Sequence, residues 1–337
     1  MKNKVLPPEW AKQSFVQLTW PHADSDWAPY LQEAEHCYLN IAEEVLKRQD
    51  LIIVTPEKNA VRARLKGLDL KRIRFVELPT NDTWARDHGG ITLLENGNGV
   101  IHDFKFNGWA LKFSANYDNL ITQKVFSEVF AGSHQYRNCL NFVLEGGAIE
   151  SDGQGTLLTT TECLMSPNRN GGFTQTEIEA YLIEVFGLKR VLWLNHGYLA
   201  GDDTDSHIDT LARFCSPDTI AYVRCDDEND EHYIALKSME RELKTFTQIN
   251  GKPYNLVALP MADKIEYAGE RLPATYANFL IINGAVLVPT YGSQKDQTAL
   301  SVINSLFPDR EVVGIDCSVL IKQHGSLHCV TMQYPQI

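Results

Sequence analysis

Nine consecutive residues, Gly201-Asp202-Asp203-Thr204-Asp205-Ser206-His207-Ile208-Asp209, carry four carboxylates and one imidazole. His207 and Asp209 are two apart, so an extended chain turns both to one face and Ile208 to the other, into a core. That layout sets a general acid/base beside an anion, and both can face one bound cation. Two plainer readings fit the same run. It is a solvated acidic loop, as charge runs commonly are, or a metal site, since His and Asp are ordinary ligands. The calcium-loop pattern of acids at alternate positions and then a Gly is not followed. The apolar pair Leu211 and Ala212 comes next and favours a segment that enters a core.

Four more polar groups recur along the chain. They are Trp84-Ala85-Arg86-Asp87-His88-Gly89-Gly90, Glu145-Gly146-Gly147, Tyr276-Ala277-Asn278 and Gly325-Ser326-Leu327-His328-Cys329. With the acidic run they stand roughly 50 to 70 residues apart, one per candidate structural unit. If the units surround an axis, all five can meet at one pocket. Each also has a structural explanation. Asp87 can pair with Arg86 or cap a turn, and Asn278 can satisfy a turn. Glu145 can accept backbone N–H bonds, with Gly146 and Gly147 there for positive φ or close approach. Cys329 sits in an apolar run, where a buried thiol is inert. His88 and His328 read as structural, and His324 has no assigned role.

Taken together, the set fits attack on a guanidinium carbon. Two carboxylates can each take a fork of N–H bonds, which fixes the plane of the group and leaves its face open. A thiolate adds to the carbon, and an imidazolium protonates the departing amine.

The elements that must position these residues show a helical period at five places. Leu31 to Leu46 has Ala34, Cys37, Tyr38, Ile41, Ala42 and Val45 on one face. A second helix follows Asp118, with Ile121, Val125, Phe126, Val129 and Phe130. A third opens with the capping box Thr174-Gln175-Thr176-Glu177 and stops at Gly187. The fourth and fifth start near Glu231 and Ser293. Strand-like runs lie between them: 51–54, 72–76, 141–144, 156–160, 191–194, 219–223, 279–282 and 286–289. The last four helix starts are roughly 60 residues apart, which points to repeated units of a few strands and one helix. The longer first interval leaves room for an extra segment near Pro56 to Leu70. One α/β domain over 1–337 is the preferred reading and two tandem domains the alternative.

The chain of 337 residues is 44% hydrophobic, enough for a substantial core. Its net charge is −12 and it has no Lys/Arg block, which argues against a nucleic-acid partner. Met1 to Trp10 lacks the apolar stretch of a secretory signal, and no run approaches a membrane span. Seven cysteines without a CxxC pair read as reduced thiols in a cytoplasm.

These motifs resemble the agmatine deiminase and bacterial peptidylarginine deiminase family of guanidine-modifying enzymes. The residues that carry the resemblance are Trp84-Ala85-Arg86-Asp87, Leu144-Glu145-Gly146-Gly147, Gly201 to Asp209, Tyr276-Ala277-Asn278-Phe279 and His328-Cys329-Val330-Thr331. Pro8-Glu9-Trp10 and Trp20-Pro21 fit as well. The resemblance implies an α/β pentein fold, five ββαβ-type units around a pseudo-fivefold axis, and no cofactor or metal. It implies Cys329 as nucleophile, His207 as acid/base, Asp87 and Asp209 as guanidinium carboxylates, and Glu145 as support for the histidine and the substrate nitrogens. Asn278 matches a substrate-pocket position. Trp84, Asp203 and Asp205 suit an aliphatic stem ending in an amine.

The implied reaction is agmatine plus water to N-carbamoylputrescine and ammonia. The implied partner is a small cationic guanidine, and the chain is open to homo-oligomers. The chain departs from the family pattern at Gln323 to Leu327, where agmatine deiminases tend to carry a Gly-rich run with Asn-Ile, and at Gly89-Gly90, where Gly-Pro is usual. It is also somewhat short. Rival readings are the same chemistry on free or peptidyl arginine, a metal-dependent hydrolase built on Asp203, Asp205, His207 and Asp209, and a pentein-like binding protein. Neither Arg86 nor Arg213 makes a persuasive clamp for an arginine α-carboxylate.

Overall fold

Five mixed sheets share one strand pattern in the computed structural model, which describes residues 4–337. Met1 to Asn3, where the stretch read for a leader begins, lie outside the described residues. In each sheet a first strand pairs antiparallel with a second, and the second pairs parallel with a third. The sets are Thr331–Pro335, Gln13–Thr19 and Asp50–Thr55; Ile91–Glu95, Asn98–Lys105 and Gln135–Val143; Glu150–Ser151, Thr156–Thr160 and Arg190–Leu194; Ala212–Ser216, Thr219–Arg224 and Asn255–Pro260; and Leu280–Ile282, Ala285–Thr290 and Glu311–Asp316. Parallel neighbours need a crossover, and a helical segment supplies it each time.

The helices Leu31–Leu46, Gln175–Phe186, Tyr233–Leu243 and Asp296–Leu306 serve four units. In the remaining unit the crossover is broken into Asp118–Leu120, Ile121–Val125 and a π turn at Phe126–Phe130. The helix over 175–186 has the expected ends. Thr174 and Glu177 form the capping box, and Gly187 sits at φ 69°, which favours glycine. Leu31–Leu46 buries Ala34, Cys37, Tyr38, Ile41, Ala42 and Val45, the face read from the sequence. Tyr233–Leu243 buries Leu236, Met239 and Leu243 and leaves Ile234 exposed.

The longer first interval holds a short helix, Lys58–Arg64, and a fourth strand, Ile73–Glu77, at the edge of its sheet. The last strand, Thr331–Pro335, pairs with Gln13–Thr19, so the two ends of the chain share a sheet. All seven cysteines are buried and unbonded. No described helix is long and apolar enough to cross a membrane.

The recurring polar groups occupy equivalent places. Each lies in the turn just before the first, antiparallel strand of a sheet: 84–90 before Ile91, 145–147 before Glu150, 207–209 before Ala212, 276–278 before Leu280 and 325–329 before Thr331.

Candidate active site

Hydrogen bonds tie these five turns together. The Gly147 N–H donates to Asp87 Oδ1 at 3.2 Å, and Arg86 N–H donates to the Cys329 carbonyl at 3.1 Å. Thr275 Oγ1 donates to the Thr210 carbonyl at 2.8 Å. Asn278 Oδ1 accepts the N–H groups of His328 and Cys329 at 2.9 and 3.3 Å, while its Nδ2 donates to the Asp209 carbonyl at 3.4 Å. Glycine is required where the turns meet: a Cβ on Gly147 would lie 2.5 Å from His207 Nδ1 and 2.8 Å from Asp87 Oδ1. Close approach, rather than the positive φ allowed for from the sequence, is what this glycine provides.

Asp87 stands on a single helical turn, Ala85–His88, and is nearly fully buried. Its Oδ2 accepts from Trp109 Nε1 at 2.9 Å, and its Oδ1 lies 3.5 Å from His207 Nδ1. Burial, helped by the charges of Asp209 and Glu145 and opposed by His207, pushes its carboxyl up to about 6. Burial works against the charge of His207, but Asp87, with Cys163 and Glu145, outweighs it and raises the imidazole to about 10. His207 is therefore an imidazolium at neutral pH. The extended His-x-Asp expected from the sequence is not present. Ile208–Thr210 forms a 3₁₀ turn, because Thr204 Oγ1 accepts the His207 N–H and Thr210 Oγ1 donates back to the His207 carbonyl. The turn sends the two side chains apart: His207 to Asp87, Asp209 to His328.

Asp209 Oδ2 accepts from His328 Nδ1 at 2.7 Å, and its Oδ1 is buried without a partner. Burial raises its carboxyl, yet the hydrogen bond and charge of His328 hold it below the usual range. The Cys329 thiol lies 4.0 Å from Asp209 Oδ2 and 3.4 Å from Asn278 Oδ1. Burial, then the charges of Asp209 and Asp87, push that thiol well up, so it is protonated at rest.

A cavity of about 170 Å³ opens from Cys329 and Asp87. Trp84 and Trp109 form its sides, and Asp26, Asp82, Asp203, Phe113 and His324 line its outer part. Gly325 packs against the Trp84 ring, where any Cβ would collide. Among the lining residues there is no Arg or Lys. Trp109 and Phe113 come from a turn in which Gly108, Trp109, Ala110 and Leu111 all have positive φ. Three of them are not glycine, a strained stretch of the kind that gathers at functional sites.

Asp205 and Asn278 sit elsewhere than the sequence suggested. Asp205, expected at the substrate stem, is held by Lys112 and Arg169, both at 2.6 Å, and does not line the cavity. Asn278 is fully buried and clamps the backbone before the thiol. Glu145 is occupied by Arg169, whose Nε lies 2.9 and 3.1 Å from its two oxygens. Arg86 stands beside Asp87 on the same helical turn and its guanidinium lies 3.7 Å from Glu9. Arg213 is fully buried between Glu9 and Glu150. His88 is buried and neutral, pushed down to about 3 by its apolar surroundings.

The set Asp203, Asp205, His207 and Asp209 does not converge. The donor groups close enough for a metal among the described residues are Glu145–Cys163–His207 and Glu9–Glu150–His328. Each already has an arginine on a carboxylate, Arg169 in one and Arg213 in the other.

Residues 5–335 match the model of the Porphyromonas-type peptidyl-arginine deiminase family. A Porphyromonas gingivalis structure, provisionally named an arginine deiminase, is 57% identical over 99% of both chains with a TM-score of 0.95. A cysteine-to-serine variant of the C. jejuni agmatine deiminase with substrate bound is 39% identical over 99% of this chain and 97% of that one, with a TM-score of 0.93. The agmatine deiminase of Ectopseudomonas mendocina is 31% identical over 98% of this chain and 95% of its own length.

Proposed function

The chain belongs to the Porphyromonas-type peptidyl-arginine deiminase family, and we propose that within it the protein is an agmatine deiminase. The observation that carries this is the cavity: Cys329 and Asp87 at its inner end with Asp209 beside the thiol, acids at its outer end, and no arginine or lysine among its lining residues. A guanidinium fits between Asp87 and Asp209. An amine tail fits the acids Asp26, Asp82 and Asp203, whereas a free α-carboxylate would meet three carboxylates there and no arginine fork.

The chemistry follows from the charges. A guanidinium between the aspartates offsets the two anions that keep Cys329 protonated, so the thiol gives its proton to water as substrate binds and leaves a thiolate. The thiolate adds to the guanidinium carbon. His207 gives its proton to the leaving nitrogen and ammonia departs, which leaves a thiouronium on Cys329. His207 then takes a proton from water, the water oxygen adds to the same carbon, and the C–S bond breaks as the added hydroxyl loses its remaining proton, which restores the Cys329 thiol and releases N-carbamoylputrescine. The buried setting strengthens the carboxylate contacts.

Residues 1–337 are read as one pentein domain with the five turns around a pseudo-fivefold axis. The shared strand pattern, the hydrogen-bonded turns and the last strand's place in the first sheet support this. The rival substrates are free and peptidyl arginine. Ammonia release from agmatine, arginine, a peptidyl arginine and methylated arginines decides among them. Agmatine is expected to exceed arginine by about tenfold or more in kcat/KM, about 1.4 kcal/mol. Preference for either arginine form would overturn the choice of agmatine.

A further inference from the structure

We propose that His328, anchored by Glu9, is a positioning residue that holds Asp209 with its Oδ1 aimed at the substrate, so that the segment around Glu9 belongs to the substrate-binding machinery. This rests on the reading of Asp209 as a guanidinium carboxylate.

His328 is almost fully buried beside the nucleophile. Its Nδ1 lies 2.7 Å from Asp209 Oδ2 and its Nε2 lies 2.6 Å from Glu9 Oε2. A ring with a carboxylate oxygen at hydrogen-bond distance from each nitrogen donates from both. Arg213 Nη2 is 3.0 Å from the same Nε2, but it is also 2.9 Å from Glu9 Oε2. Two donors thus share one oxygen, and the Arg213–His328 distance reflects that common acceptor rather than a bond between them. Glu9 is fixed at its other oxygen by the Ile281 N–H at 2.8 Å. Arg213 is fixed by Glu150 and by the Ala277 and Phe279 carbonyls.

The consequence falls on Asp209. One of its oxygens is taken by His328, while Oδ1 is buried and bonded to nothing in the protein. Asp87 has no such free oxygen, since Gly147 and Trp109 use both. An unpartnered carboxylate oxygen in a dry site is costly, and a guanidinium N–H removes that cost. His328 keeps the carboxylate from rotating to satisfy Oδ1 elsewhere.

The test uses the full chain with Cys329→Ala, which cannot turn over, and measures agmatine binding by calorimetry. His328→Gln places its amide near Nε2 and abandons Asp209; His328→Asn keeps a donor where Nδ1 stands. His328→Gln should weaken agmatine about tenfold or more, the scale of one hydrogen bond to a charged group. His328→Asn should recover most of that loss while its Tm falls as far as that of His328→Gln. Equal binding losses in the two variants that track their Tm would overturn the proposal in favour of simple packing. So would unchanged binding in His328→Gln beside weakened binding in Asp209→Asn. If Asp209→Asn itself binds agmatine normally, the guanidinium reading of Asp209 fails, and this inference fails with it.

Discussion

The two walls that flank the thiol carry the same residue type in opposite circumstances. On one side Asp87 has every oxygen occupied, faces a histidine across 3.5 Å, and is pushed up to about 6. On the other side Asp209 is held below the usual carboxylate range by His328 and keeps one oxygen free. The difference comes from the second layer. Asp87 is bonded to neutral donors and flanked by the anions Asp209 and Glu145, so burial outweighs the charge of His207. Asp209 backs onto a ring held by Glu9, so the hydrogen bond and charge of His328, with the charges of His207 and Arg213, outweigh burial. The Asp87 wall is suited to exchange charge with His207 during the reaction, and the Asp209 wall to stay ionised throughout.

The largest effect expected comes from removing the group between the walls. Cys329→Ala should abolish turnover and leave agmatine binding roughly intact, because both aspartates remain. Steady-state ammonia release and calorimetry on the same variant check both halves. Residual turnover near that of the parent would show that neither wall serves a thiol. Next in size is His207→Ala, which strips the Asp87 wall of its proton partner. General acid/base help is worth about 10²–10⁴-fold, and the loss in kcat should be at least at the lower end of that range. A loss below tenfold would give the role to another group.

The walls themselves are compared by Asp87→Asn and Asp209→Asn. Each should cost about 1.5–3 kcal/mol in kcat/KM, the worth of a hydrogen bond to a charged group, and more in a dry site. They should differ in pH dependence. Asp87 must be ionised to face a cation and its carboxyl is raised to about 6, so kcat/KM of the parent should fall as pH drops through about 6. His207 must be protonated to release ammonia and is raised to about 10, so the rate should fall again as pH rises through about 10. Asp209→Asn should keep the acid limb and Asp87→Asn should lose it. An acid limb that survives in Asp87→Asn would assign it to another carboxyl.

The floor was far more legible in the sequence than what lies behind it or above it. Its residues recur because each unit presents its turn at the same point, so spacing alone suggested one meeting place. The helix Leu31–Leu46 and the capped helix after Thr174 were readable from period and end signals. Several first strands were not read: Ala212–Ser216 and Thr331–Pro335 are mostly buried and lack alternation. The hairpin between Ile91–Glu95 and Asn98–Lys105 did carry a signal, Asn96-Gly97, and both residues take positive φ. Arg169 left none. A lone arginine after Ser166-Pro167 gives no hint that it will cross to Glu145 and Asp205. Trp109 was equally silent, because a left-handed run of non-glycine residues contradicts local preference.

The smallest effect expected is at the cavity mouth, where the comparison between walls gives way to solvent. Asp203 is the acid of the nine-residue run that lines the cavity, yet its side chain is 42% exposed and lies 3.9 Å from His324 Nδ1. Its carboxyl is raised, by partial burial first and then by Asp202 and Glu270, with His324 and Lys112 opposing. An exposed ion pair is worth about 0.2–1 kcal/mol. Asp203→Asn should therefore raise KM for agmatine about two- to fivefold with kcat unchanged, since the tail contributes equally to bound substrate and transition state. Added salt should shrink the difference between parent and variant, because an exposed charge is screened and the buried floor is not. A kcat loss as large as that of Asp209→Asn would mean that Asp203 reaches the reacting carbon, and the division of the site into a dry floor and a wet mouth would have to be redrawn.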